Sequence, residues 1–233
     1  MGESRESTES TKSSKITKEE LSGSKVVAFI GVLILVAGAI NSFLAAGSTT
    51  AMNIIFGILA LFLALVIFIS LEFIDLGPVK VPYLWYLTLI IGVVLIILAF
   101  FTTAPSTTPV TPKPYLGGVL VSISGIVEYL IQQQKREVVV SKFVAFAGAA
   151  FTIYQSILLF FVAPTAVIFG IIGIIIAVIL VILVMGKIDI KIPYNWWTVL
   201  IIAFIVFTWI DPVYAGIAGT VLMVAFILII IGF

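Results

Sequence analysis

Long segments without a charged residue are the feature that most constrains the fold of this chain. Residues 26–71, 81–112, 143–186, 192–210 and 212–233 contain no Asp, Glu, Lys or Arg. A helix needs about 20 apolar residues to cross the roughly 30 Å hydrocarbon core of a bilayer. The longest segments therefore hold two helices each, and together the segments predict an all-α polytopic membrane protein whose main partner is the lipid bilayer.

The composition supports the same class and limits the chemistry. Hydrophobic residues make up 62% of the chain and charged residues 10%, whereas soluble domains have roughly 45–50% and 25%. The chain has neither His nor Cys, which excludes disulfides, Cys/His zinc sites, thiol nucleophiles and imidazole catalysis. The formal net charge of +1 gives no nucleic-acid signature. We therefore expect no cofactor and no nucleic-acid partner.

Eight membrane-spanning helices are predicted from these segments. The Gly-Ser-Thr-Thr sequence at 47–50 divides the first segment into two spans. The fourth span is the least hydrophobic, because it contains three glycines, two serines and a glutamate. The predicted helices cover residues 26–46, 53–71, 82–102, 115–131, 143–162, 165–185, 193–210 and 214–232.

Residues 1–25 form a polar tail that differs from the rest of the chain. The tail holds five acids and five bases among Ser and Thr, with almost no apolar residue. Such a segment cannot build a hydrophobic core, so we expect it to be disordered. A disordered cytoplasmic tail of this kind is suited to recruiting a soluble partner.

Basic residues are divided unequally between the two sides of the membrane that eight spans define. One side of the membrane holds 11 of the 12 Lys and Arg. This side comprises the tail, the C-terminus and the loops at 72–81, 132–142 and 186–192. The opposite loops hold only Lys113. Because cytoplasmic loops carry an excess of Lys and Arg, both termini are predicted to be cytoplasmic, in a multi-pass protein of the cell membrane.

The two halves of the sequence resemble each other. The eight residues at 24–31 return 117 positions later with six identities, those at 55–58 return after 113 positions, and the Lys-x-Pro-Tyr-x-Trp pattern at 80–85 returns after 111. Fragments in the same order, with length differences confined to loops, indicate a tandem duplication of a four-helix unit. The predicted parts are the tail 1–25, a first repeat 26–131, a basic linker 132–142 and a second repeat 143–233.

The repeated Lys-x-Pro-Tyr-x-Trp pattern begins the third and seventh predicted helices at the cytoplasmic side. Pro fits the first turn of a helix, Tyr and Trp favour headgroup depth, and Lys reaches lipid phosphates. We interpret the pattern as an interfacial anchor, and a symmetric docking site for a cytoplasmic partner is the alternative. The anchor residues are Lys80, Pro82, Tyr83, Trp85, Lys191, Pro193, Tyr194 and Trp196.

Glu128 is the only acidic or basic residue that falls well inside a predicted span, and such residues are functional candidates. It lies one helical turn before the polar residues 132–135. Its carboxylate is therefore expected to reach the interface or to pair with Lys135 or Arg136. Asp211 lies at the outer end of the seventh helix, where it is interpreted as a turn initiator.

Uncharged polar residues form a second set of candidate positions inside the spans. Thr152, Gln155 and Ser156 share one face of the fifth helix, because residues three and four apart are neighbours on a helix. Asn41 adds polarity to the outer part of the first helix. Interhelical hydrogen bonding is the favoured interpretation, and the lining of a polar path is the alternative.

Small residues are spaced along the fourth predicted helix in a way that favours close helix packing. Gly118, Ser122 and Gly125 occur at positions i, i+4 and i+7 and share one face. Small residues at such spacing let two membrane helices approach each other closely. We predict that this face packs against a neighbouring helix.

The last predicted hairpin resembles a known family. Its pattern consists of Trp196-Trp197, then Pro212, then Tyr214-Ala-Gly216 and a closing Ile231-Gly232. This pattern is similar to the helical-hairpin repeat of HdeD-like small membrane proteins. The resemblance covers about 40 residues and implies a hairpin architecture. It implies no chemistry.

Three classes of function remain open for a chain of this kind. A non-enzymatic scaffold or accessory subunit best fits the lack of a catalytic constellation, and the sequence leaves homo-oligomer formation open. A channel or transporter would place a path for a small neutral or weakly polar solute along the interface between the two repeats. An intramembrane enzyme would have to rely on Glu128 or Asp211 for acid chemistry.

Overall fold

A computed structural model describes residues 22–45, 51–72, 81–100, 114–134, 138–164, 166–186, 194–211 and 216–233. Within these ranges the chain forms helices and turns and contains no strand, which confirms the all-α class for the described residues. Several residues singled out in the sequence lie outside the described ranges. They are the tail residues 1–21, Lys80, Lys113, Lys135, Arg136, Lys191, Pro193, Pro212 and Tyr214.

Eight α-helices and one π-helical turn follow one another along the described residues. The helices are α1 (Gly23–Ala45), α2 (Ala51–Ser70), α3 (Trp85–Phe100), α4 (Pro114–Gln132), α5 (Val140–Leu159), α6 (Ala166–Met185), α7 (Trp196–Ile205) and α8 (Ile217–Ile231). The π-helical turn Val206–Ile210 extends α7. A helix satisfies its own backbone hydrogen bonds, which is why apolar segments adopt it in lipid.

Five of these helices have the length and the hydropathy needed to cross a membrane, namely α1, α2, α4, α5 and α6. This makes the chain a multi-pass membrane protein. Three further apolar helices are shorter than these five, namely α3, α8 and α7 together with its π-helical turn. At 1.5 Å per residue each reaches about 23 Å, less than the hydrocarbon thickness. Each predicted span overlaps one of the eight helices, but the crossing of the membrane by the three short ones stays a prediction.

The start of α3 differs from the sequence prediction. The helix begins at Trp85, three residues after Pro82, so the expectation that this proline occupies the first helical turn is wrong. The carbonyl of Leu84 opens the helical ladder by accepting a hydrogen bond from the N–H of Thr88 at 3.1 Å. The non-helical residues before Trp85 leave the preceding tyrosine free to turn toward the neighbouring helices.

The starts of α5 and α7 also differ by three residues from the predicted ones. α7 begins at Trp196, because the side-chain oxygen of Asn195 accepts a hydrogen bond from the N–H of Thr198 at 3.1 Å. An asparagine in this position is a favourable helix N-cap. α5 begins earlier than predicted, at Val140, so the last residues of the predicted basic linker belong to its first turn.

Ring contacts between helix ends show that paired helices run antiparallel. Trp85 at the start of α3 lies 4.7 Å from Tyr129 near the end of α4, measured between ring centroids. In the second half Trp196 at the start of α7 lies 6.4 Å from Phe226 toward the end of α8. We call the end of the bundle where α1, α3, α5 and α7 begin the near end, and the opposite end the far end.

Each half of the molecule uses the same set of helix pairs. In the first half α1 packs against α2 and α4, and α3 packs against α4. In the second half α5 packs against α6 and α8, and α7 packs against α8. The two halves touch each other much less extensively, through α1, α4, α5 and α8. The central helices of the fold are therefore α1 with α4 and α5 with α8.

The two halves meet through a cluster of buried apolar side chains, which we call the interface cluster. At the near end a Cβ atom built on Gly23 would lie only 2.8 Å from Cγ2 of Val140, so α1 and α5 approach closely there. Two other apolar clusters lie one within each half. The buried members of the interface cluster are Val26, Val27, Val119, Leu120, Ile123, Val127, Val140, Val144, Ala145, Val199, Val221, Val224, Ala225 and Leu228.

The small residues of α4 lie against α3. A Cβ atom built on Gly118 would lie 2.9 Å from the carbonyl oxygen of Gly92, and one built on Gly125 would lie 2.8 Å from the backbone nitrogen of Leu89. The Ser122 side chain occupies the space beside Gly92, where an added Cβ would meet its oxygen. The backbones of the two helices are thus in direct contact, as small residues permit in membrane proteins.

Replacing Gly125 by Val should lower the thermal stability of the purified protein in detergent. The added atoms would collide with backbone atoms of Leu89, which cannot move aside as a side-chain tip can. Forcing extra atoms into a packed interface costs about 1–3 kcal/mol. The matched control is Ile126→Val on the exposed face of the same helix, and equal melting temperatures for the two variants would contradict the packing described.

Candidate functional site

The carboxylate of Glu128 lies at the near end of α4, where the residue is only 8% exposed. The hydroxyl of Ser24, in the first turn of α1, donates a hydrogen bond to its Oε2 atom. The amide of Gln132, one turn further along α4, donates to Oε1. Hydrogen bonds to a charged acceptor contribute about 1.5–3 kcal/mol each. The carboxylate therefore ties α1 to α4, and its predicted pairing with Lys135 or Arg136 falls outside the described residues.

Tyr83, which precedes α3, turns its hydroxyl toward the same place. The phenol oxygen is buried and faces the hydroxyls of Ser124, Ser24 and Thr88. Burial raises the pKa of Tyr83 to about 12, and the neighbouring hydroxyls act in the opposite direction. The tyrosine therefore stays protonated and can only donate or accept hydrogen bonds. We call Ser24, Tyr83, Ser124, Glu128 and Gln132 the near-end polar cluster.

The second half repeats part of this arrangement without the acid. Tyr194, which precedes α7, turns its buried hydroxyl toward the side chain of Ser141 in the first turn of α5. The ammonium nitrogen of Lys142 lies 6.0 Å from the centroid of the tyrosine ring. The Tyr-x-Gly pattern at 115–117 returns at 214–216, after 99 positions, and at this offset the counterpart of Glu128 is Ile227. The carboxylate therefore belongs to the first half alone.

The residues predicted as interfacial anchors divide into two kinds. The two tyrosines of the repeated pattern face the protein interior, as described above. Trp85 is partly buried against the ring of Tyr129, whereas Trp196 and Pro82 are exposed. Among the described members of the set, the exposed ones are placed to meet lipid headgroups, and the tyrosines instead join the start of one helix to the start of another.

Asp211 lies at the far end, directly after the π-helical turn, and is only 2% exposed. Its Oδ2 atom accepts a hydrogen bond of 2.7 Å from the N–H of Gly219 in the first turn of α8. A carboxylate at this position satisfies a helix N–H group that has no partner within the helix, and it lies at the positive end of the helix dipole. The aspartate predicted to initiate a turn is therefore also an N-terminal cap of α8.

The polar residues of α5 lie inside the second half. Gln155 is fully buried, and its side chain is within hydrogen-bonding reach of Asp211. The Ser156 hydroxyl points at α6, where a Cβ atom built on Gly173 would collide with it. Thr152 donates a hydrogen bond of 2.8 Å to a carbonyl one turn earlier on its own helix. None of the three belongs to the interface cluster between the halves.

Asn41 lies apart from these residues. It is half-buried near the end of α1, at the far end of the first half. The next residue, Ser42, is buried and donates a hydrogen bond of 2.9 Å to the carbonyl of Gly38. The structure thus does not bring Asn41 together with the polar residues of α5, and the candidates predicted from the sequence form separate groups.

Two functional contacts were missed in the sequence. Ser24 is the first residue of the repeated fragment at 24–31, and its identity with Ser141 was the available signal for a polar role. For Asp211 the signal was Gly219, eight residues later at the start of the next apolar segment. A Cβ atom there would lie 2.5 Å from Oδ2 of the aspartate, so glycine is the residue that admits this cap.

The chemistry available to these groups is narrow. Among the described residues no three acids, histidines or cysteines come together in a way that could hold a metal ion. Glu128 lies at the near end and Asp211 at the far end, so the two described buried carboxylates do not form a pair. Each can hold helices together and exchange a proton.

Comparison with known proteins gives no neighbour. No family model, no curated protein and no solved structure matches the chain.

Replacing Ser24 by Ala should destabilise the protein by about 1.5–3 kcal/mol, because a buried carboxylate would lose a hydrogen-bond donor. The matched control is Ser141→Ala, which removes the equivalent hydroxyl in the half that has no acid. We expect a smaller loss in the control, measured by denaturant unfolding in mixed micelles. In a Glu128→Leu background the loss caused by Ser24→Ala should shrink to that of the control. An unchanged loss would contradict the assigned hydrogen bond.

Proposed function

We propose that the chain is a non-enzymatic integral membrane protein that acts as a scaffold or accessory subunit. The observation that carries the proposal is how the buried polar side chains are used. The hydroxyls of Ser42, Ser70, Thr88 and Ser124 each donate to a carbonyl three or four residues earlier on the chain. Glu128 and Asp211 accept hydrogen bonds from neighbouring protein groups. Such bonds stabilise a bundle, and the residues that make them serve the packing of its helices.

The proposal includes a duplicated four-helix unit, and pairs of contacting residues support it. The ring of Phe43 fills the space beside Gly57, where an added Cβ atom would lie 2.7 Å from Cε1. The ring of Phe160 does the same beside Gly170, again at 2.7 Å. Phe160 follows Phe43 by 117 positions, and Gly170 follows Gly57 by 113 positions. Fragments of the sequence repeat at these same offsets. The contact between the first two helices of each unit is thus the same.

A second repeated contact supports the duplication from the near end. The hydroxyl of Tyr83 faces Ser24, and the hydroxyl of Tyr194 faces Ser141. Both residues come from fragments that repeat in the sequence, at offsets of 111 and 117. Two repeated sequence motifs therefore meet in space in the same way in both halves. Four helices per unit would insert both copies in the same direction.

The proposed orientation places both termini and the near end in the cytoplasm. The two lysines among the described residues, Lys25 and Lys142, both lie at the near end, in the first turns of α1 and α5. This distribution follows the positive-inside rule. The polar tail would then extend into the cytoplasm, where it is available to a soluble partner.

The outer surfaces of the bundle fit a protein surrounded by lipid. Large apolar side chains of α2 and α6 are exposed, including Ile58, Phe62, Leu65, Ile168 and Ile175. In water such a surface would drive aggregation, whereas in a bilayer it meets acyl chains. The same surfaces are available to other membrane helices, including those of a second copy of the chain.

A path for a solute between the two repeats is the alternative function, and the geometry gives it less support. The place where the halves meet is occupied by the apolar interface cluster, at least over the described residues. The polar residues that would line such a path, Gln155, Thr152 and Ser156, lie within the second half. A path along the interface would therefore be lined mainly by aliphatic side chains.

The scaffold proposal predicts that the tail binds a partner. Deleting residues 2–22 should abolish co-purification of a specific soluble protein, because these residues make up most of the longest polar segment of the sequence. Membrane insertion should stay intact. Co-purification is measured by quantitative mass spectrometry of detergent extracts. A tail of the same composition in scrambled order is the matched control, and it should also lose the partner.

The same proposal predicts that the purified protein does not conduct solutes. Proteoliposomes should take up glycerol or urea no faster than liposomes without protein, as measured by light scattering after osmotic shock. Solute uptake that disappears in the Gln155→Leu variant would contradict the scaffold proposal and would favour transport. Equal partner binding by the full-length protein and the tail deletion would also contradict it.

The eight-span topology predicts a cytoplasmic C-terminus. A fluorescent reporter that folds only in the cytoplasm, fused after Phe233, should be as bright as one fused before the first residue. A phosphatase that is active only outside the cytoplasm should be inactive at both places and active when inserted after residue 107. An active phosphatase at the C-terminus would contradict eight spans and would require one of the short helices not to cross the membrane.

A further inference from the structure

Asp211 lies in a place where a carboxylate is unusual. It is almost fully buried at the far end of the second half, in contact with α8 through Gly219 and within reach of Gln155 on α5. Two apolar side chains lie close by. Phe207 lies beside Gly219, and Ile210 lies next to Ser156 against Gly173 of α6. The Oδ2 atom accepts a hydrogen bond from the N–H of Gly219, the backbone N–H of Ala218 also lies within reach of the carboxylate, and Oδ1 has no hydrogen bond of good geometry. A buried charge is costly without full hydrogen bonding or a counter-ion.

The surroundings of Asp211 offer no counter-charge among the described residues. The helices α6, α7 and α8 contain no ionisable residue. On α5 the ionisable residues are Lys142, at the opposite end of the helix, and Tyr154. In the first half Tyr115, at the far end of α4, lies within electrostatic range of both Asp211 and Tyr154. Both tyrosines are neutral in the physiological range, so the described chain provides no cation for this carboxylate.

We propose that Asp211 is a reversible proton-binding site that controls how tightly the far ends of α5, α7 and α8 are held together. When the carboxyl is protonated, a neutral group occupies the apolar surroundings and its new O–H is directed toward the polar side chains of α5. When it is deprotonated, a charge without a counter-ion among the described residues remains in the same place. The far end is then expected to loosen toward water. This inference does not depend on the scaffold proposal.

The titration of Asp211 falls in a range that cells experience. Asp211 lies in the turn between two spans, after the last residue of the π-helical turn. Burial raises its pKa to about 6, and the hydrogen bond from the backbone of Gly219 acts in the opposite direction. In the unfolded chain an aspartate titrates near pH 3.9. Between these two values the folded protein binds more protons than the unfolded one.

The sign of the stability effect follows from this difference. A group whose pKa is higher in the folded state stabilises the fold at low pH, and its contribution is lost as the pH rises through the folded value. The contribution of Asp211 is therefore full below about pH 4 and absent above about pH 6. The protein should be more stable at pH 5 than at pH 8 as far as this residue is concerned.

The π-helical turn beside Asp211 is the element placed to respond. Wide turns of this kind are rare and often mark functional positions in helices. Thr208 within the turn donates to two carbonyls, those of Phe204 at 2.8 Å and Ile205 at 3.2 Å. A return of the turn to a regular α-helix would rotate Asp211 relative to α8.

Infrared spectroscopy tests the proton site directly on the full-length protein in lipid nanodiscs. The chain contains only three aspartates, so carbon-13 labelling of aspartate carboxyls separates them from all glutamates. The C=O band of a protonated, buried aspartic acid should appear as the pH is lowered, with a midpoint near 6. The band should be absent in Asp211→Asn and unchanged in Glu128→Gln, which alters the other buried acid. A wild-type spectrum without such a band between pH 5 and 8, or a band that persists in Asp211→Asn, would overturn the proposal.

Thermal unfolding supplies the second measurement. The wild-type protein and Glu128→Gln should melt at a higher temperature at pH 5 than at pH 8, while Asp211→Asn should lose most of this difference. Titrations at constant ionic strength with either sodium or choline as the cation show whether a metal ion competes for the carboxylate. A midpoint that falls when sodium replaces choline would assign the site to a metal cation and overturn the proton assignment. An equal pH dependence of the melting temperature in all three proteins would also overturn the proton assignment.

Discussion

The absence of water from the hydrocarbon core is the constraint on which the rest of the structure depends. Backbone and side-chain polar groups in that region must find their partners within the protein. The apolar segments therefore fold as helices, and hydroxyls such as those of Thr152 and Ser42 return to their own backbone. Since lipid tails are as apolar as leucine, burial alone does not draw helices together. Close contacts at Gly118 and Gly125, and the hydrogen bond between Ser24 and Glu128, provide that attraction instead.

The same constraint explains where the two halves agree and where they differ. They share the contacts that any four-helix unit of this sequence needs, namely the Phe–Gly pair between the first two helices and the Ser–Tyr pair at the near end. They differ in their acids: the described buried acid of the first half lies at the near end and that of the second half at the far end. An acid in a membrane protein requires local donors, and each half supplies them at one end.

The sequence was sufficient to predict the helical class and the approximate position of every described helix, because long apolar segments have few alternatives. It also predicted that Gly118 and Gly125 share a face, since helical spacing alone decides this. It could not predict that Glu128 pairs with Ser24, because a contact across 104 positions depends on which helices pack together. For the same reason Gln155 and Asp211 were considered separately, although α5 and the π-helical turn bring them together. The start of α3 was misplaced, because the contacts of Tyr83 outweigh the local preference of Pro82.

The separation of Ser24 and Glu128 along the chain also has a consequence for biosynthesis. A ribosome adds roughly 5–20 residues per second, so α1 has left the ribosome for about 5–20 s before α4 can supply its partner. During that time the buried face of α1 has only α2, which lacks a carboxylate. The second half repeats the delay, because α5 precedes α8 by the length of three helices. Each half is thus completed by its last helix, and a chain interrupted before α4 would expose the face of α1 that packs against α4 to the quality-control machinery of the membrane.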